Sequence, residues 1–230
     1  MCEWGLDSPW LWGNQFAQSW RATGDHTATW ASTVEIIIAS ASIPANSSGR
    51  PYGWNDLDML ETGCAEQCAH ANGKQANMTA TEYITEFSMW AISASPIQIT
   101  TRIMNCTNTT GVVSCKGWLS DLQKQIMLNT EVLAINQDVT PQGRPVTEGD
   151  FSVWARHLSD GSVAVALLNL NNDPVNLLVE FLSLGWPAGQ SATVRDLWGH
   201  ADMGTFKDQY PNSPVTVQPH ETLLFRLTPV

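Results

Sequence analysis

Residues 79–101 read TATEYITEFSMWAISASPIQITT. Thr79 and Glu82 have the spacing of a capping box, in which two side chains satisfy backbone N–H groups of the first helical turn. Ile84, Phe87 and Ala91 follow at helical spacing. Ser95-Pro96 then ends the helix, because proline lacks a donor and disfavours helical geometry in the residue before it. Ile97 to Thr101 reads as a short strand. The flanks repeat this alternation. Trp30, Val34, Ile37 and Ile38 fall at i, i+4, i+7 and i+8, one face of a helix. Ser120 caps another helix, with Leu122 and Ile126 on its inner side. Strand–helix units in series predict an α/β fold with a parallel sheet.

The pattern changes near residue 140. Phe151, Val153 and Ala155 alternate with Ser152, Trp154 and Arg156, a period of two. Ser159-Asp160-Gly161-Ser162 leads into the run from Val163 to Leu168, and Asp-Gly between apolar strands is a strong hairpin signal. Val175 to Phe181, Ala192 to Leu197 and Thr222 to Leu227 read as further strands. The expected division is therefore an α/β part over residues 1–140 and an antiparallel β-sandwich over 141–230. A closed (β/α)8 barrel takes about 250 residues, so the α/β part has room for about half of one. Such a piece would expose an unpaired sheet edge.

Composition narrows the function. Asp and Glu total 22 against 11 Lys and Arg, a net charge of −11, which disfavours nucleic acid or an anionic membrane surface as partner. No apolar run reaches the length of a spanning helix. The chain is rich in Trp, with 11, a residue that suits both cores and sugar faces. Cys64 with Cys68, and Cys106 with Cys115, are close pairs suited to local disulfides. Cys64, Cys68 and His70 also resemble metal ligands, but no fourth ligand lies nearby, so neither metal nor other cofactor is expected. N-x-S/T sequons occur at Asn46, Asn77, Asn105 and Asn108. Together with paired cysteines they point to the secretory pathway, to an extracellular or lysosome-like destination. The opening Met1-Cys2-Glu3-Trp4 has no signal-peptide character, so a signal peptide is expected to be missing from this chain. Cys2 has no evident partner.

Acids, Trp and Arg concentrate in Cys2-Glu3-Trp4-Gly5, in Ser19 to Asp25 (SWRATGD) and in Gly53 to Leu60 (GWNDLDML). Residues i and i+2 of a strand share a face, so Asp56 and Asp58 are expected to project together. Adjacent carboxylates suit a polyol, since each accepts hydroxyl hydrogen bonds. Arg21, four residues before Asp25, offers a fixed cationic fork.

In this order and spacing, CEWG, SWRATGD, GWNDLDML, MWAISASPI and EVLAINQD resemble the second half of glycoside hydrolase family 27, the α-galactosidases or melibiases. The resemblance implies the C-terminal half of a TIM (β/α)8 barrel followed by the family's C-terminal β domain. It implies hydrolysis of terminal α-galactosides with retention, through a covalent glycosyl-enzyme. Asp25 takes the position of the general acid/base. Glu3, Trp4, Arg21, Asp56 and Asp58 fall on sugar-contacting or site-shaping positions, with Asp56 the candidate to orient Arg21 instead of touching sugar. Leu6 and Asp7 fall where specificity at the sugar's 2-position is set, and the bulk of Leu6 disfavours an acetamido group. The family's nucleophile lies in a K-[YF]-D-x-C run, which this sequence lacks, as it lacks the adjacent Asp-Asp pair. The isolated chain is therefore expected to be inactive. Rival readings are an α-N-acetylgalactosaminidase or β-L-arabinopyranosidase of the same family, a galactose-binding protein without turnover, and a purely structural module. Oligomeric state is left open.

Overall fold

The structure is a computed structural model that describes residues 4–63 and 78–230. Its first part is a parallel βαβ arrangement. Strand β1 (Ser19–Arg21) pairs in parallel with β2 (Trp54–Asp56), in the register Ser19↔Trp54 and Arg21↔Asp56. Helix α1 (Trp30–Ala41) connects them, its first turn capped by the Thr29 side chain. Helix α2 (Ala80–Ile92) has the expected capping box between Thr79 and Glu82. Its packing is denser than an amphipathic helix requires: Phe87 to Ile92 are all buried.

The strand expected over 97–101 is reduced to one parallel bridge, Leu60↔Ile99. The Leu60 N–H donates to Gln98 O at 2.7 Å and the Thr100 N–H to Leu60 O at 3.1 Å. The cause lies in the partner strand: Asp58 has φ of 87°, outside the β region, and ends the ladder of β2 early. An exposed hairpin then follows, β3 (Met104–Thr109) with β4 (Val112–Gly117), which sequence periodicity did not announce. Cys106 and Cys115 stand opposite each other in it and form the expected disulfide. Helix α3 (Asp121–Met127) starts at Ser120 with a capping box to Gln123, and α4 (Thr130–Asn136) is capped by Asn129.

The remainder is antiparallel. Strands β5 (Arg144–Thr147), β6 (Asp150–His157), β7 (Val163–Leu168), β9 (Ser191–Asp196), β10 (Ala201–Lys207) and β12 (Thr222–Pro229) form one sheet of order β10-β9-β12-β7-β6-β5. The smaller sheet pairs β8 (Val175–Glu180) with β11 (Gln209–Val217). At the expected hairpin between β6 and β7, Gly161 takes φ of 86°. The large sheet is covered on both faces. Val163, Val165 and Leu167 of β7 pack with Val179, Phe181 and Val217 inside the sandwich. Ala164, Ala166 and Leu168 pack with Phe87, Met89 and Trp90 of α2. Each large aliphatic side chain so buried contributes about 1.5–3 kcal/mol. Two-sided burial also explains β6, where Trp154 and Arg156 are almost wholly buried while Val153 and Ala155 face the other sheet.

Candidate functional site

The parallel register sets Arg21 beside Asp56 at the carboxyl ends of β1 and β2. The Gly5 N–H donates to Arg21 O at 3.1 Å, which lays the Trp4–Gly5 segment along the end of β1. Glycine is required there: φ is +76°, and an added Cβ would lie 2.5 Å from Ala22 O. Just beyond the strand ends the chain forms a tight polar cluster. Arg21 Nη2 lies 2.9 Å from Asp58 Oδ2 and 3.2 Å from Asp25 Oδ1, and donates to Gly24 O at 2.9 Å. The His26 backbone N–H donates to the same Asp58 oxygen at 2.8 Å, and the Met59 N–H to the other at 2.8 Å. Below them the Trp90 indole N–H donates to Asp58 O at 2.8 Å.

The two acids of the GWNDLDML segment come together by a different route from the one expected. Strand β2 ends at Asp56, and Asp58 returns over it so that its own N–H donates to Asp56 Oδ1 at 2.9 Å. Asp58, not Asp56, is the ion-pair partner of Arg21. Burial raises the pKa of Asp56, opposed by the hydrogen bond from Asp58 N–H and the nearby Arg21 charge. Asp25 differs from both in exposure: its side chain is 73% accessible, against 10% for Asp58. The arrangement thus presents one open carboxylate, one fixed carboxylate and a cation shared between them.

Trp4 is exposed at the edge of this cluster. Leu6 and Asp7 are also exposed, and Asp7 contributes its carbonyl to the Trp12 indole N–H at 3.0 Å. Glu3, Cys2, Cys64, Cys68, His70 and Asn77 lie outside the described residues. Asn46 is exposed; Asn105 and Asn108 lie on the β3–β4 hairpin, where Asn108 Oδ1 accepts the Gly111 N–H at 3.0 Å. Among the described residues, no group of three or more His, Cys, Asp or Glu side chains is placed to hold a metal ion.

Sequence reasoning missed the layer beneath. The His26 ring and the Glu86 carboxyl are both wholly inaccessible, 3.6 Å apart, with the Trp90 ring centred 5.0 Å from the imidazole. Glu86 accepts the Glu61 N–H at 2.8 Å and the Thr62 hydroxyl at 2.7 Å. Its pKa is pushed up to about 8 by burial, despite those two bonds and with the Glu61 charge adding to the rise. The signal available was an acid on the face of α2 that also carries Trp90, four residues on.

Residues 148–227 match the family model of the α-galactosidase C-terminal β-sandwich domain. Over 99% of its length the chain is 34% identical to α-galactosidase 2 of Arabidopsis thaliana and covers 51% of that protein. The chain thus spans about half the length of the curated relatives it matches. Among solved structures, α-galactosidase I of Mortierella vinacea superimposes with a TM-score of 0.76 at 24% identity, over 97% of this chain and 56% of that one. A family 27 β-L-arabinopyranosidase of Geobacillus stearothermophilus gives 0.77 at 22% identity, over 96% of this chain and 47% of that one. The fold and the relatives define the class as glycoside hydrolase. Within that class, the chain belongs to family 27 and matches the C-terminal part of its α-galactosidases.

Proposed function

We propose that the chain supplies the acid/base side of an α-galactosidase, from the C-terminal half of a (β/α)8 barrel over residues 1–140 and a supporting β-sandwich over 141–230. The observation that carries this reading is the Arg21–Asp25–Asp58 cluster at the ends of parallel strands, with Asp25 open to solvent. Asp25 donates its proton to the glycosidic oxygen as the bond breaks, then accepts a proton from the water that releases the sugar. Asp58, held by Arg21 and backbone N–H groups, accepts sugar hydroxyls. Asp56 holds the Asp58 turn. Trp4 lines the sugar's other side, Glu3 has the sugar-contacting role that its motif implies, and Leu6 with Asp7 selects galactose over its 2-acetamido analogue. The nucleophile comes from outside these residues, because retention needs a second carboxyl about 5 Å from the first. The hairpin disulfide and the exposed sequons at Asn46 and Asn108 support passage through the secretory pathway.

The test is a fusion of this chain to the N-terminal part of the Arabidopsis relative, assayed on an aryl α-galactoside. We expect turnover by the fusion and none by the chain alone. Asp25→Asn should lower the rate on substrates with poor leaving groups by about 100-fold or more. Unchanged rates there would remove Asp25 from its role. Faster cleavage of the aryl α-N-acetylgalactosaminide would overturn the choice of sugar.

A further inference from the structure

The His26–Glu86 pair has no part in the chemistry proposed above, yet it lies directly under the residues that perform it. His26 follows Asp25 in the chain, and its backbone N–H holds the Asp58 oxygen that Arg21 also contacts. Its side chain ties that loop to three other segments. Nδ1 lies 3.1 Å from Met59 O, beyond β2, and Nε2 lies 3.1 Å from Thr33 Oγ1 on α1. Glu86 and Trp90 face it from α2.

Partner chemistry assigns the protons. The Met59 carbonyl can only accept, so Nδ1 carries a hydrogen. The Thr33 hydroxyl donates to Thr29 O at 3.2 Å, which leaves its oxygen free to accept from Nε2. One further proton therefore has two places to reside, on Nε2 or on Glu86, and in either place the pair is electrically neutral. The acids facing the pair are Glu61, 7% exposed and held by the Thr100 hydroxyl, and Asp58, held by Arg21. No Lys or Arg contacts Glu86 among the described residues. Once the shared proton leaves to solvent, Glu86 becomes a buried anion with another acid beside it, a state of high desolvation cost.

We propose that His26 and Glu86 are a proton-sharing pair that positions the Arg21–Asp25–Asp58 cluster, so that loss of the shared proton loosens the loop carrying Asp25. The inference rests on the reading of that cluster as a sugar site. Below neutral pH the pair is neutral and the loop is held. Above it Glu86 is a buried anion beside the His26 ring, the layer beneath the loop opens to admit water to that charge, and the His26 N–H loses its hold on Asp58.

The experiment uses nuclear magnetic resonance on the full chain. The His26 ring nitrogens and the exchange protection of its amide are followed from about pH 6 to about pH 9. We expect the ring signals to titrate and the protection to fall about tenfold over the same interval, after correction for the intrinsic rate. Glu86→Gln keeps the shape of the neutral acid and should hold the protection flat. An equal fall in Glu86→Gln, or ring signals that stay constant while the amide changes, would overturn the pair. Should that variant not fold, the ring titration of the unmodified chain decides alone. Galactose, added at each pH to the fusion with the N-terminal part of the Arabidopsis relative, should bind more weakly as protection falls. Binding that ignores pH overturns the positioning role; a working switch with no galactose binding overturns the sugar reading instead.

Discussion

Among the described residues, the buried carboxylates Asp56, Asp58, Glu61, Glu82 and Glu86 all belong to the strand–helix part, while β7 of the sandwich buries six apolar residues in succession. The two regions share a sheet face but bury opposite chemistry. An ionisable group in an interior costs free energy unless its partners are placed for it. Aliphatic layers carry no such cost. The one buried cation after residue 141 points across the junction. Arg156 donates to the carbonyls of Ala91, Ile135, Asn136, Asp138, Thr140 and Pro141, closing the ends of α2 and α4.

Arg156→Met offers the severest test of that contrast. Burial lowers the pKa of Arg156 to about 10, so it remains charged at neutral pH. Its removal orphans several buried carbonyls and should cost about 3 kcal/mol or more in urea unfolding. A loss under about 1 kcal/mol would mean the junction is held by its apolar contacts alone.

Changing pH should separate the regions next. Glu86 has its folded pKa near 8, above the ordinary 4.5. The stability of the strand–helix part is therefore fully present below about 4.5 and should fall as pH rises to about 8, with Glu86→Gln removing the fall. Glu131 behaves oppositely. Hydrogen bonds from Arg195 first, then from His200, hold it near 2. Its contribution at the junction should be complete above about 4.5 and vanish as pH falls toward 2. Tryptophan fluorescence across a pH series of urea melts reads both. Equal stability at pH 5 and pH 8 would sink the first expectation, and a Glu131→Gln variant as stable as the parent at pH 6 would sink the second.

Smaller effects probe the sandwich itself. Gly161→Ala forces an L residue to φ of 86° in the β6–β7 turn and should cost about 1 kcal/mol. A neutral result would indicate that the turn relaxes. Smallest of all is Cys106→Ser with Cys115→Ser. The hairpin they join is exposed and packs mainly against itself, so global stability should move by less than about 1 kcal/mol. Limited proteolysis within residues 104–117 should nevertheless become rapid. A global loss larger than that would place the hairpin among the supports of the core.

Local chemistry was legible before the fold was. The capping box at Thr79, the helix cap at Ser120, the Asp-Gly turn and the Cys106–Cys115 pairing each depend on residues within ten positions of one another, and each appears as read. Strands β10 and β11 were not read, because the alternation in β11 is broken by an irregularity between Tyr210 and Val215. The segment over 97–101 has strand composition but keeps a single bridge, since its partner turns away at Asp58.

By itself, then, the sequence determined the order of the two regions, their secondary-structure types, and the set Arg21, Asp25, Asp56 and Asp58. Those follow from side-chain period, turn chemistry and residue type, which act over a few residues. Only the tertiary structure decided that Asp58 and not Asp56 pairs with Arg21, that Trp154 and Arg156 face inward, and that His26 meets Glu86 sixty residues away in the chain. These depend on the dihedral of one residue, on a sheet covered from both sides and on the packing of α2 beneath the strand ends. Long-range packing sets such features, and no local pattern encodes them.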